Sequence, residues 1–527
     1  MPPVDLLRWL LAVAPFITLL VALLVLKWSA PEAGSLGLIV AALVGVIVFR
    51  APLETVSVAS AKGVWDAVFI LYVVWPALLL YHIMQQANAF EALRIGIMQF
   101  SQNELFLVLA FGWVFVSFLQ GIIGFGTPVA MVVPLLVALG VRPIYAVAIP
   151  LVGHAWGNMF GTLGVAWLAT QQVIVIDDPV LTATRTAALL WLPNVMAGFF
   201  IAWAYGGMKA VRYALPMILL ISLLHGGGQL LLMGWNQVLA NFLSVTAGFI
   251  MLYPLSRWKR YAEPAPQITT TIMQAERTTQ AQTQASMSLF TALLPYAVLT
   301  VLAVVLLVPD PINDALAQVS VGFAFPETTT AYEVLRPATD PYSPIRLLTH
   351  PGTLLLLTAV ITFAIYRRFY TGRTTIFASL TRDAVPSSLA IVAFLVTSKL
   401  MDHTGQTEVF ALGLAEVTSP TVYAFLSGVL GVLGAFITSS NTASNVLFAP
   451  VQQTVAVIEG LPQSAIIAAQ GAGAAVGNAI APANVVLGTG PAGILGDEGE
   501  VIRKTLNWTL LLTVLVGLGT VILVISS

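Results

Sequence analysis

The stretch Thr438-Ser439-Ser440-Asn441-Thr442-Ala443-Ser444-Asn445 concentrates hydroxyl and amide side chains inside an otherwise apolar region. Such groups cost free energy in apolar surroundings unless they are hydrogen-bonded. They predict either helix caps and cross-helix bonds, or an oxygen-rich site for a carboxylate or a sodium ion. A second candidate is Gln120-Gly121-Ile122-Ile123-Gly124-Phe125-Gly126-Thr127-Pro128, whose glycines break a helix and let backbone approach a ligand. Pro128 then favours a fresh helical start. The third, Gly477-Asn478-Ala479-Ile480-Ala481-Pro482-Ala483-Asn484, is again a broken helix, with two amides. A helix beginning in such a break offers free N–H groups and about half a positive charge, so it holds an anion without needing a lysine.

Ionisable residues in apolar runs form a second group. Lys399 and Asp402 stand at i, i+3, close enough to pair on one helix face. A cation within the membrane points to a site, whereas one near the end of its span can snorkel to the interface. His154 falls in a G-x-x-x-G-N segment and is either a proton relay or a hydrogen-bonded structural histidine. His225, before three glycines, is ambiguous, and Ser101-x-x-Glu104 ahead of an apolar run reads as a capping box.

The elements that must position these residues are membrane helices. Only 9% of the 527 residues are charged, 22 basic against 23 acidic, where a soluble protein carries roughly 25%. That excludes a soluble enzyme, and a net charge of −1 excludes a nucleic-acid binder. There is no cysteine, so thiol nucleophiles, thiolate metal sites and disulfides are absent. Apolar runs lie near 6–26, 35–49, 64–84, 104–120, 144–168, 186–205, 214–232, 238–256, 288–308, 352–366, 386–400, 421–437 and 505–525. The first reads as a retained helix, not a cleaved signal. Residues 121–139 and 442–496 are rich in Gly, Pro, Ser, Thr and Asn and read as re-entrant hairpins or broken helices. Such backbone survives at membrane depth only inside protein or along a watery cavity.

Basic residues predict orientation. Arg257, Lys259, Arg260 and Arg277 place 257–287 in the cytoplasm, and the acidic 309–350 outside. Arg367, Arg368, Arg373, Arg382, Arg503 and Lys504 fall inside. So do Lys209, Arg212 and Arg142, and so would Arg50 and Lys62 if 121–139 enters and leaves by one face. The N-terminus is then cytoplasmic and the C-terminus external. The Thr- and Gln-rich 257–287 has little to bury and reads as a linker, ending in a surface helix, between a first membrane repeat (1–256, hairpin near 121–139) and a second (288–527, hairpin near 438–496). Two matches support duplication. Phe118 to Gly124 matches Phe425 to Gly431 as F-L-x-G-x-x-G, and Gly153 to Asn158 matches Gly473 to Asn478 as G-x-x-x-G-N. The fold class expected is an all-α polytopic membrane protein with two inverted repeats and roughly 12–14 transmembrane helices.

Ser117-Phe118-Leu119-Gln120-Gly121-Ile122-Ile123-Gly124-Phe125-Gly126-Thr127-Pro128-Val129-Ala130 resembles the lactate permease family, whose members carry S-F-L-E-G-x-x-G-F-G-[TA]-P-x-A. Residues Gly431 to Phe448 look like that family's G-x-x-G-x-F-x-T-G-S-D-T-x-S-N-x-L-F. The resemblance covers most of the chain. It implies a multi-pass secondary transporter of a prokaryotic plasma membrane that takes up L-lactate, and often D-lactate or glycolate, with protons. Against the family pattern Gln120 replaces a glutamate, Asn441 an aspartate and Asn478 a lysine. If those acids carry protons in relatives, this chain cannot use the same places. Ser440-Asn441-Thr442 is also the S-N-T signature of sodium-coupled dicarboxylate transporters in the same superfamily.

The reading is therefore symport of a small monocarboxylate, with a sodium-coupled organic-anion carrier as the alternative and a passive anion channel behind it. Neither H-E-x-x-H nor G-x-S-x-G occurs, so no enzyme is expected. The substrate-binding set is Gln120, Gly124, Gly126, Thr127, His154, Asn158, Lys399, Ser439, Ser440, Asn441, Thr442, Asn445 and Asn478, with Ser440, Asn441 and Thr442 as the alternative sodium site. No catalytic residue and no cofactor beyond a coupling H+ or Na+ is expected. The partners are a small organic anion and membrane lipid, with no nucleic acid and with a homo-oligomer as an option.

Overall fold

In the computed structural model, which describes residues 5–124, 126–274, 286–307, 309–370 and 374–527, the chain is almost wholly helical. Eleven helices among the described residues are long and apolar enough to cross a membrane. The helices that matter here are α1 (Leu6–Leu20), α2 (Ala30–Ile47), α3 (Leu53–Gln86), α4 (Ala89–Met98), α5 (Glu104–Ile122), α6 (Thr127–Leu139), α7 (Pro143–Ala155), α8 (Gly161–Val173), α9 (Pro179–Leu232) and α10 (Ala240–Arg257). After the linker come α11 (Leu289–Leu307), α12 (Pro351–Tyr366), α13 (Ile376–Thr404), α14 (Gln406–Val417), α15 (Pro420–Thr438), α16 (Asn441–Ile458), α17 (Gln463–Gly477), α18 (Pro482–Ala492) and α19 (Glu498–Ile525). Between α11 and α12 the strands β1 (Ser320–Phe325) and β4 (Thr339–Arg346) pair antiparallel, as do β2 (Thr328–Thr329) and β3 (Leu335–Arg336).

The span count is lower than the apolar runs suggest, for local reasons. Runs 186–205 and 214–232 are one helix, α9, bent where Gly206 and Gly207 leave helical geometry. Run 144–168 is split between α7 and α8. Residues 463–492, within the region read as a re-entrant hairpin or broken helix, form a span-length unit of α17 and α18 broken at Asn478–Ala481.

Two bundles lie side by side. In one, α3 packs against α12 and α13, with α2 on α13 and α11 on α12. In the other, α15, α16, α17 and α19 pack together with α9, and α5 to α8 with α10 and α18. All of the apolar window of α5 is buried inside the protein, against 28% for that of the first helix. The first hairpin is therefore α5 plus α6, not 121–139 alone. Both of its ends meet the linker. At one, Ser101 donates to the Tyr261 carbonyl and Asn103 Nδ2 to the Glu263 carbonyl at 2.9 Å. At the other, the Arg142 amide donates to the Ile272 carbonyl at 2.8 Å. The second hairpin, α15 plus α16, enters from the opposite face: Gln453 donates to the Val175 carbonyl beyond the end of α8.

This arrangement corrects the expected orientation of everything before residue 104. Arg8 donates to the Tyr332 hydroxyl, the Arg50 guanidinium lies over the same ring, and Lys62 lies 5.1 Å from the Tyr342 ring. Arg50, Lys62 and residues 5–8 thus share the face of the 320–346 strands, opposite 257–274. Ser527 lies on that same face, since Arg185 donates to both Ser527 and Ser464, beside the Gln453–Val175 contact. The two ends of the described chain therefore do not lie on opposite faces. The cause is physical: α5 is long and apolar enough to count as a crossing, but α6 returns it to the face it came from.

Three smaller expectations also change. The first half of the linker is packed, with Tyr261 and Ile272 buried; residues 275–285, with Arg277 and the expected surface helix, lie outside the described residues. The cap before α5 is Asn103, which accepts from the Phe106 amide at 3.0 Å, while Ser101 accepts from the Asn103 amide. Glu104 is then the first helical residue and meets Tyr205. Finally, the two internal matches differ in kind. Gly153 and Gly473 both stand near the end of their helix, and a Cβ on either would strike backbone, the Gly112 carbonyl for one and the Gly428 carbonyl for the other. The positional counterpart of Gly428 is therefore Gly112, not Gly121, which sits at the very end of α5.

Candidate functional site

Four interruptions of helix meet near the centre of the second bundle: Ile123, Gly124 and Gly126 at the first, then Trp156–Phe160, Ser439–Ser440 and Asn478–Ala481. Each hairpin tip faces the broken helix of its own half: a Cβ on Gly161 would lie 2.8 Å from the Gln120 carbonyl oxygen, and the Ala483 amide donates to Ser439 Oγ at 3.2 Å. The return arms then cross over, α6 packing on α18 and α16 on α8. The cavity between them is about 220 Å³.

Of the residues expected at the site, Gln120, Gly126, Asn158, Ser439, Ser440, Asn441, Thr442 and Asn478 line this cavity. Gly126 takes the left-handed conformation at φ +75°, where a side chain would be strained and a Cβ would meet Leu487 and Asn484. Ser439 is left-handed without being glycine, at φ +54°, a conformation that persists only where its surroundings enforce it. Here Thr438 does so, its hydroxyl bonding the Gly434 and Ser440 carbonyls at 2.8 and 3.0 Å. Ser440 caps α16, accepting from the Ala443 amide at 3.2 Å. Behind it runs a buried chain. Asn441 Nδ2 donates to the Gly471 carbonyl at 3.3 Å, Asn445 to Asn441 Oδ1 at 2.8 Å, and Gln470 to Asn445 and Ser444. Gln452 and Tyr423 extend it. Asn478 accepts from Asn484 at 2.5 Å. Gln120 Oε1 is buried without a partner.

The remaining expected residues lie elsewhere. Asn445 is one shell behind the wall, its amide spent on Asn441 and Met159. Gly124 packs under Thr162, where a Cβ would strike the threonine hydroxyl, and Thr127 begins α6 without lining the cavity. His154 is structural in geometry, its Nδ1 bonded to the Pro150 carbonyl one helical turn back at 2.7 Å. Lys399 pairs not with Asp402 but with Asp66, at 3.2 Å, because Asp402 is taken by Arg336 at 2.9 Å. His225 is buried against Trp156 and Asn194.

Other lining residues escaped the sequence reading. Thr162 is one, held left-handed with Leu163 and Gly164 at the start of α8; its signal was the Gly161–Gly164 pair directly after the G-x-x-x-G-N match. Thr438 and Asn484 sit in stretches already singled out. Ala30 and Ser387 belong to the first bundle and carry no local motif. No Asp, Glu, Lys, Arg or His lines the cavity among the described residues. The arrangement offers hydroxyls, carboxamides and the first amides of α16, the equipment for a small anion.

The family described as L-lactate permease matches residues 8–526. The chain is 27% identical to an L-lactate permease of Halalkalibacterium halodurans, over 97% of this chain and 96% of that one. It is 25% identical to the glycolate permease GlcA of Escherichia coli K12, over 97% and 95%, and 24% identical to an L-lactate permease of the same strain, over 97% and 95%. Among solved structures, the YdaH transporter of Alcanivorax borkumensis aligns with 86% of this chain and 84% of its own at 16% identity, with a TM-score of 0.44.

Proposed function

The chain belongs to the L-lactate permease family, and on that premise we propose that it is a proton-coupled importer of small monocarboxylates, L-lactate, D-lactate and glycolate being its substrate class. The observation that carries this reading is the uncharged cavity at the four helix breaks. Its volume suits a two- or three-carbon hydroxy acid. The carboxylate would be held by the first amides of α16, at Asn441 and Thr442, which lie outside the intrahelical ladder. Gln120, with its unpartnered amide oxygen, would meet the substrate hydroxyl. The wall is shared between the two bundles through Ala30 and Ser387, so sliding one bundle along the other would carry the site between faces. The two halves of the second bundle are read as inverted repeats.

The face bearing Arg142, Lys209, Arg212, Arg257, Arg260, Arg503 and Lys504 is assigned to the cytoplasm of a prokaryotic plasma membrane. Residues 5–8 and Ser527 are then external. One specific feature favours sodium as the coupling ion instead: the density of oxygens at Thr438, Ser439, Ser440 and Thr442 around a cavity without a titratable group. The test is uptake of labelled lactate into proteoliposomes under imposed proton or sodium gradients in turn. Uphill accumulation with a proton gradient alone is expected. Accumulation with sodium alone would move the assignment to the second reading. Equilibration without accumulation would mark a passive anion channel, and transport of other carboxylates but not lactate would overturn the substrate class.

A further inference from the structure

A proton-coupled carrier needs a group that gains and loses a proton out of reach of bulk water, and among the described residues the cavity wall has none. Among the described residues one carboxylate is buried, Asp66 on α3, at 0% exposure. Its Oδ2 takes the Tyr342 hydroxyl at 2.8 Å and the Lys399 ammonium at 3.2 Å, while its Oδ1 has no partner. Lys399 also donates to the Gln172 carbonyl at 2.6 Å. That carbonyl is at the C-terminal end of α8, where a cation is favoured by the helix dipole. The opposite end of α8 supplies Gly161, Thr162, Val165 and Ala166 to the cavity. The pair thus bridges the two bundles: Asp66 and Lys399 stand on one, and α8 on the other.

The charged groups around it account for one another. Arg336 from β3 holds Asp402 and Glu408, and the two carboxylates outweigh the burial that works against its charge, so its proton is held more tightly than usual. His403 bonds Thr328 at 2.9 Å. Lys62 lies over the Tyr342 ring. Burial pushes the Tyr342 hydroxyl up to about 12, so it stays a donor to Asp66. What remains free to change is Asp66.

We propose that Asp66 is the proton-binding site of this carrier and Lys399 the positioning residue that reports its state to the substrate cavity through α8. The inference rests on the proton-coupled reading above. A proton taken up at Oδ1 makes Asp66 neutral and leaves the Lys399 charge without a counter-ion beside the end of α8. One positive charge is gained and no covalent bond other than O–H forms. Over the roughly 10 to 15 Å of such a helix, one added charge in a protein interior raises anion affinity by about tenfold. By linkage the bound anion raises the proton affinity of Asp66 equally. Proton and carboxylate therefore travel together, and the loaded carrier has the charge of the empty one.

The experiment compares wild type with Asp66→Asn in proteoliposomes, reading lactate–lactate exchange and gradient-driven accumulation on the same preparation. Asp66→Asn is expected to keep exchange, to lose accumulation under an imposed proton gradient, and to lose the pH dependence of its apparent lactate affinity. Asp66→Glu is expected to restore the accumulation and the pH dependence, with exchange again kept. Accumulation that survives in Asp66→Asn would overturn the inference. So would joint loss of exchange and accumulation with the protein present in the membrane, because the pair would then be structural. Wild type that fails to exchange lactate would instead overturn the substrate reading, and this inference with it.

Discussion

The two hairpin tips solve one problem with different materials. At the first, α5 stops at Ile122 and α6 begins at Thr127, and Gly126 supplies the left-handed residue of the break. At the second, Ser439 takes the same kind of conformation without being glycine, and side chains hold it: Thr438 behind it, Ser440 as cap, and the Asn441–Asn445–Gln470–Gln452–Tyr423 chain beneath. The first tip depends on the absence of side chains, the second on their presence. The difference teaches that a shared backbone path need not leave a shared sequence signature. Both tips nevertheless rest on the same support, a helix crossing with no room for a Cβ, at Gly112/Gly153 and at Gly428/Gly473.

The largest effect is expected at those crossings. Gly153→Val and Gly473→Val each drive a side chain into a backbone carbonyl that has nowhere to move, so both should remove the folded protein. Yield of monodisperse material after detergent extraction measures this; recovery of one variant but not the other would break the equivalence of the two supports. Next, Asn441→Ala removes the link between the second tip and α17, leaving buried amide groups unpaired at a cost of about 1–3 kcal/mol. Uptake should be abolished with normal membrane expression, and unchanged transport would take the second tip out of the site.

Gly126→Ala and Ser439→Gly form a sharper pair. The first forces a side chain into a left-handed position against Leu487 and Asn484, and about 1–2 kcal/mol of strain should lower uptake roughly tenfold. The second relieves strain but removes the hydroxyl that accepts from the Ala483 amide, so its loss of uptake should be the smaller one. Equal losses in the two would mean that glycine is not what distinguishes the tips. The smallest effect is conditional on pH. Gln120→Glu places a carboxylate in the wall, which repels the substrate anion when ionised. The apparent KM for lactate should rise at alkaline pH and return toward wild type as acidification protonates the new group; a KM independent of pH would place Gln120 away from the bound anion.

Much of the molecule was legible without coordinates. Low charge and recurrent apolar runs determined a polytopic helical membrane protein, because an unbroken apolar run of spanning length satisfies its own backbone in lipid as a helix. Hydroxyls, amides and glycines inside those runs determined where helices break, since each of these residue types destabilises helix or must find a partner. The G-x-x-x-G-N match led to Asn158 and Asn478, both in the cavity wall. What only the tertiary structure decided was partnership and direction. Length and hydropathy cannot tell a helix that crosses from one that turns back, so α5 misdirected everything before it. Sequence spacing paired Lys399 with Asp402, whereas space gave Lys399 to Asp66, more than three hundred residues away, and Asp402 to Arg336. Ala30 and Ser387 reached the cavity only because a second bundle packs against the first. Local chemistry is written residue by residue; which distant group satisfies a buried charge depends on the packing of the whole chain.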